Sequence, residues 1–317
     1  MSSLIEKATL RLEQLRRAGA AMPDRAELPP APLPRELQSP ASLRAPDIGV
    51  PVAPPIAPPP LVQVPAQLSR RVEIDLEGLA AAGIVSPHAP RSQIADQYRV
   101  IKRPLISNAM GKGAAVIQNG NLIMVTSSVP GEGKSFTAIN LAISIAAELD
   151  NTVMLVDADV ARPSVLRVLG LPNGPGLLDL LRDGSGDLSG VLLKTNIDKL
   201  SILPSGTPHA RATEMLASDA MTALLADMAK RYSDRIIVFD SPPLLLTTEA
   251  RVLASHMGQI VMVVQAEKTL RSDVQDALAT IEACPVKMLL LNQARSSSAG
   301  GYGYGYGYGY GYGNKAA

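Results

Sequence analysis

The chain has 317 residues and a formal net charge of +1. That is length for one sizeable domain with appendages, without a bulk field that points to nucleic acid or an anionic membrane. One cysteine, Cys284, excludes an intramolecular disulfide framework, and with only three scattered histidines beside it there is no zinc-ligand spacing. No stretch approaches the ~18–20 apolar residues of a membrane span, and the charged start "MSSLIEKATLRLEQLRRAG" has no secretory h-region, so a soluble cytoplasmic protein is expected.

Leu4, Ile5, Ala8, Leu12 and Leu15 recur at helical spacing, and Ser3 with Glu6 makes a capping box. They predict an amphipathic helix over 1–19, either a solvated terminus or a docking helix for a partner protein or a membrane surface. Residues 20–71 carry about half of the 26 prolines. Proline removes donors and fixes φ, so an extended linker is expected there, a spacer rather than a proline-motif ligand.

An ordered domain is expected over 72–294. "SQIADQYRVIKRPLISNAM" reads as a helix with Ile94, Tyr98, Ile101 and Leu105 along one side, kinked or ended at Pro104. Strands are then predicted at 122–127, 152–157, 200–204, 235–240, 259–265 and 286–292, alternating with helices at 134–149, 163–169, 210–231, 248–256 and 269–283. The strands are short, apolar and rich in β-branched residues, as parallel strands covered on both faces are. The expected fold class is α/β: a doubly wound, mostly parallel sheet with its ligand at the carboxyl ends of the strands.

The first strand runs into "SVPGEGKS" and a helix, which fits the phosphate-cradle pattern G-x-x-x-x-G-K-[ST] except that Ser128 replaces the first glycine. Gly131 and Gly133 let backbone N–H groups turn toward a polyphosphate, and the helix N-terminus adds partial positive charge. Lys134 reaches the β- and γ-phosphates, and Ser135 offers its hydroxyl to Mg²⁺. The expected nucleotide contacts are Pro130, Gly131, Glu132, Gly133, Lys134, Ser135 and Phe136. Two other strands end in acids, "VMLVDAD" in Asp157 and Asp159, and "RIIVFDSPP" in Asp240. A Mg²⁺–nucleotide needs carboxylates at that edge, and with two aspartates two apart, one can hold the metal shell while the other accepts a proton.

With "SSVPGEGKS", "MLVDADVARPS", "IIVFDSPP" and the closing "GYGYGYGYGYGYG" in this order, the sequence resembles the bacterial tyrosine kinases of polysaccharide synthesis. The likeness spans about 72–313. The start and "DQYRVIKRP" are most similar to the stand-alone tyrosine autokinases of exosortase/PEP-CTERM exopolysaccharide loci. The resemblance implies a P-loop NTPase fold, ATP and Mg²⁺, and catalysis by Lys134 with Asp157 as base on the incoming tyrosine. It also implies Mg²⁺ organised by Ser135, Asp159 and Asp240, and a base contact from Asn292. Asp96, Arg99 and Lys102 stand where the family has its ring-forming Glu-x2-Arg-x2-Arg, which implies a homo-oligomer. Because the family also has members with two membrane helices, the resemblance implies a separate membrane chain-length regulator as activator and a peripheral place at the inner membrane.

The sequence departs from the family pattern at Ala161, where arginine is common and Arg162 follows instead, and at Glu249, where aspartate is common. The rival reading is a ParA/MinD-like ATPase that acts as a switch or scaffold; Val129 stands where that class carries an extra lysine. The tail over 295–317 holds Tyr302, Tyr304, Tyr306, Tyr308, Tyr310 and Tyr312, six of the eight tyrosines. Glycine between them gives no core to pack. They are read as phosphoacceptors, on a tail able to reach roughly 75 Å at ~3.3 Å per residue, and its few cations, Arg295 and Lys315, argue against nucleic acid.

Overall fold

Six apolar stretches become strands of one sheet, and the inner ones are too short and too uniformly apolar to be stable except between two covering layers. The computed structural model describes residues 69–87, 92–184, 187–231 and 234–295. The expected helix over 1–19, the proline-rich stretch up to 68 and the Gly/Tyr tail from 296 lie outside the described residues.

In chain order the elements are α1 (Leu76–Ala81), α2 (Gln93–Ala109), β1 (Leu122–Ser127), α3 (Lys134–Ala146), β2 (Thr152–Asp157), α4 (Val165–Val168) and α5 (Leu177–Asp183). A 3₁₀ turn (Leu188–Gly190) precedes β3 (Leu193–Lys194), β4 (Leu200–Leu203), α6 (Ala212–Leu216), α7 (Asp219–Arg231), β5 (Arg235–Asp240), α8 (Thr248–Ser255), β6 (Gln259–Gln265), α9 (Arg271–Ala279) and β7 (Val286–Asn292). The strand order is β3-β4-β2-β5-β1-β6-β7, and every pairing is parallel except β3 with β4. The chain leaves β1 for β2 on one side and returns through β5 to β6 on the other, so β1 sits at the switch point where such sheets bind ligands.

Alternate residues along each central strand feed two cores. Ile123, Val125, Val153, Leu155, Ile236 and Val238 pack with Ala138, Ile139 and Ile143 of α3. Leu122, Met124, Met154, Val156, Ile237 and Phe239 pack with Met221, Leu225 and Met228 of α7 and Leu253 of α8. Complete burial of an aliphatic side chain of this size stabilises by about 1.5–3 kcal/mol, so both layers are needed to hold the sheet.

The six predicted strands form, and the alternation gives the predicted doubly wound sheet. Four details differ. α2 runs unbroken through Pro104, with Tyr98 and Leu105 buried against the first core. The helix expected over 210–231 is two: Ser218 accepts from Met221 N at 3.2 Å and donates to Met215 O at 2.7 Å, ending one turn and starting the next. The helix expected over 163–169 is the single turn α4. β3, α1 and α5 were not foreseen. α5 depends on a distant loop: Leu177 and Leu178 N–H donate to Pro204 and Ser205 carbonyls at 2.8 and 3.0 Å. A Cβ on Gly176 would stand 2.1 Å from Pro204 O, so only glycine permits that approach.

The first described residues are fastened to the domain. Lys194 N–H donates to Arg70 O at 2.9 Å and Val72 N–H to Lys194 O at 2.8 Å, beside the short strand β3. Asn196 both accepts from Ile74 N at 2.9 Å and donates to Ile74 O at 3.0 Å. No helix among the described residues is long and apolar enough to cross a membrane.

Candidate active site

The loop between β1 and α3 is shaped by its two glycines. Gly131 (φ +88) and Gly133 (φ +95) take the left-handed region that L side chains rarely adopt. A Cβ at Gly133 would also meet Asn292 Nδ2 at 2.1 Å. The turn places Lys134 at the first position of α3, where the unpaired N–H groups of a helix start favour an anion.

Lys134 Nζ lies 2.7 Å from Asp159 Oδ2, 3.9 Å from Asp240 Oδ1 and 3.2 Å from Ser135 Oγ. Thus the loop lysine, the loop serine and two of the three strand-end acids converge. The sheet register explains why. Asp157 and Asp240 are direct partners across β2 and β5, and β1 lies on the other side of β5.

The acids differ in their surroundings. Asp157 is 1% exposed; its Oδ2 accepts from Ser164 N and Val165 N, both at 3.0 Å, and so caps the start of α4. Its Oδ1 has no hydrogen-bond partner. Burial first, and then the charge of Asp240, push its pKa up to about 7 against the two N–H bonds. Asp240 is pushed up to about 6, chiefly by burial, with Lys134 and the Ser135 and Ser164 hydroxyls opposing; its Oδ1 is likewise without a hydrogen bond. Two buried carboxyl oxygens without hydrogen bonds, that of Asp240 3.9 Å from Lys134 and that of Asp157 on the neighbouring strand, have unfilled capacity for a cation or a proton.

A cleft of about 500 Å³ opens in front of these residues. Pro130, Gly131, Gly133, Lys134, Ser135, Phe136 and Asp159 line it. So do Arg162, Arg167, Val168, Pro242, Pro243 and Leu246, which give it a partly apolar wall and two cations. Asp157 does not line it, whereas Ser164, whose N–H donates to Asp157, does.

Glu132 and Asn292 sit behind the loop rather than in the cleft. Glu132, 1% exposed, accepts from Val129 N at 2.8 Å and from the Thr269 hydroxyl, while Thr269 Oγ1 accepts from Gln265 N at 3.0 Å. Asn292 Nδ2 donates to Glu132 O at 2.9 Å. The loop is therefore braced from the β6–α9 turn and from the end of β7. Thr269 carries no motif, and its part was not visible in the sequence. Ser164 and Arg167 were also missed, although a Pro-Ser pair after an acidic strand end is a helix-start signal.

Asp96, Arg99 and Lys102 do not form one exposed patch. Arg99 pairs with Asp96 at the surface. Lys102, 4% exposed, turns inward to the Ser144 carbonyl and to Glu148 Oε1, the latter at 2.7 Å. Tyr302 to Tyr312 lie outside the described residues.

Among the described residues no three histidine, cysteine or acidic side chains form a ready-made ion cage. A hydroxyl (Ser135) and acids with open oxygens beside a phosphate cradle fit instead a hard cation that brings phosphate and water ligands with it.

Fold and site together define a P-loop NTPase of the ParA type. The ParA family model, described as NUBPL iron-transfer P-loop NTPase, matches residues 118–291, and the chain belongs to that family. Within it, the chain is a bacterial tyrosine-protein kinase. It is 30% identical over 206 residues to tyrosine-protein kinase YwqD of Bacillus subtilis (strain 168), covering 65% of this chain and 83% of that one. Over 182 residues it is 35% identical to tyrosine-protein kinase ptk of Acinetobacter johnsonii, which is 57% of this chain and 24% of that longer one. Among solved structures, the chimerical protein CapA2B2 aligns with a TM-score of 0.54 at 28% identity, over 72% of this chain and 96% of that one.

Proposed function

We propose that this kinase uses Mg-ATP to phosphorylate its own tail tyrosines, Tyr302 to Tyr312, between subunits, and so regulates exopolysaccharide polymerisation or export. The observation that carries the reading is Asp157, a buried acid with one open oxygen and a pKa near neutrality, in register with Asp240, whose Oδ1 lies 3.9 Å from Lys134 at the phosphate cradle. A general base works best when its pKa is near the working pH.

The steps follow from the chain's own groups. The backbone N–H groups of the loop and the start of α3 hold the phosphates. Lys134 leaves its pair with Asp159 and turns to the γ-phosphate. The apolar wall of Phe136, Val168, Pro242, Pro243 and Leu246 receives an aromatic ring. Asp157 Oδ2 holds the start of the single turn α4 through Ser164 N and Val165 N, so opening of that turn would let the carboxylate meet the phenol. The phenolic proton passes to Asp157 as the tyrosine oxygen bonds to the γ-phosphorus, and the bond from that phosphorus to the bridging oxygen breaks to release ADP. Mg²⁺, held by Ser135, Asp159 and Asp240, would neutralise the phosphate charge. Asn292 donates to the Glu132 carbonyl and so positions the loop, and it is the proposed contact for the nucleotide base.

A membrane chain-length regulator is the proposed activator, with the residues before the domain as its tether. Asp96 and Arg99 remain the exposed part of the proposed subunit contact. The test is purified protein with Mg-ATP, read for phosphotyrosine by mass spectrometry, beside Lys134→Met. Phosphate on the tail of the wild type and at least 100-fold less on the variant are expected. ATP hydrolysis with no phosphotyrosine, with or without the activator's cytoplasmic segment, would favour the ParA-like switch instead.

A further inference from the structure

β7 ends the sheet and, among the described residues, pairs only with β6. Its side chains alternate. Met288 and Leu290 pack on the core that α2 and α3 cover. On the other face Lys287, Leu289 and Leu291 are exposed, the two leucines at 54% and 64%. A free strand edge with a row of bare leucines invites another strand. Directly after Asn292, Gln293 takes the left-handed region (φ +57) and breaks the line of the strand. Tyr302 follows ten residues beyond Asn292, so the intervening linker is long enough for the chain to reverse.

We propose that the Gly/Tyr tail of the same chain folds back as an antiparallel strand on the free edge of β7, with its tyrosine rings over Leu291, Leu289 and Lys287. Two alternations match. Opposed residues of an antiparallel pair point to the same face, so tyrosines opposite the odd-numbered β7 positions cover the bare leucines. The glycines then fall opposite Met288 and Leu290, on the face already filled, where a side chain has least room. A slip of one residue would put every ring on the wrong face, whereas a slip of two restores the match. The repeat thus offers several equivalent registers on one edge. Docking concerns where the tail rests, and it stands whether or not the tyrosines accept phosphate.

The test is disulfide trapping in the full chain at a concentration where it is monomeric. Leu289→Cys is combined with a second cysteine at Tyr304, Gly305, Tyr306 or Gly307; the native Cys284 is buried and does not compete. Intramolecular disulfides at the two tyrosine positions at least tenfold faster than at the two glycine positions are expected. Hydrogen exchange supplies the second readout. The β7 amides that face away from β6 should exchange at least tenfold more slowly in the wild type than in a full-length chain with all six tail tyrosines changed to serine. Equal trapping at tyrosine and glycine positions overturns the proposal. So do disulfides formed only between chains, which would make the edge an interface of two copies. Protection that survives the serine changes overturns it too, since another segment would then cover β7.

Discussion

Asp157 and Asp240 face each other across β2 and β5, and burial raises both above the usual carboxylate range. An acid whose folded pKa is raised binds its proton more tightly folded than unfolded. It therefore costs stability as pH rises from its unfolded value near 4 through its folded value near 7. In buffer free of nucleotide and divalent cations, thermal stability should fall across that window. Asp157→Asn removes one of the two penalties and keeps an oxygen to accept from Ser164 and Val165. We expect it to raise Tm by about 5 °C at pH 8 and to change it by no more than about 2 °C at pH 5, by differential scanning calorimetry. Phosphotyrosine formation by the same variant should drop at least 100-fold while nucleotide affinity stays within about threefold. Unchanged activity would remove Asp157 from the role of base.

The phosphate loop depends on elements that are distant in sequence. Thr269, in the turn before α9, donates to the Glu132 carboxylate, and Asn292, at the end of β7, donates to the carbonyl of the same residue. Thr269→Val keeps the shape of the side chain and deletes the hydroxyl, leaving one buried Glu132 oxygen and the Gln265 N–H without this partner. A buried group left unsatisfied costs about 1–3 kcal/mol. If that cost falls on the ordered loop, the ADP dissociation constant should rise about tenfold by calorimetric titration, with the fold retained by circular dichroism. An unchanged constant would show that the brace does not set the loop. The sequence made the glycines and Lys134 legible because a phosphate cradle needs them at fixed spacing. It could not reveal Thr269, because that contact spans 137 positions and belongs to no local pattern. Pro104 misled for the opposite reason: its local rule says kink or stop, yet Tyr98 before it and Leu105 after it are both anchored in the core and α2 stays whole.

At the scale of the whole molecule, the chain is close to neutral, with a formal net charge of +1. Each phosphate adds about −1.5 to −2, so six would add roughly −9 to −12. A change of that size should make copies repel and loosen an assembly. Protein phosphorylated on the tail is expected to sediment as a smaller species than Lys134→Met at the same concentration, and about 0.5 M salt should narrow the difference by screening. Identical sedimentation of the two at low salt would count against charge as the switch.

The sequence by itself determined the class of fold, the phosphate loop and the acids at the strand ends. Each of these is written in local terms: apolar runs of strand length, glycines where φ must be positive, carboxylates that follow directly on a strand. Tertiary structure alone decided how those pieces act on one another. It set Asp157 against Asp240 through sheet register and buried Asp157 away from the cleft. It turned Lys102 inward to Glu148, and it left Leu289 and Leu291 bare on the last edge. Exposure and pairing depend on which element lies alongside, and neighbours far apart in the chain come together only when the core is packed.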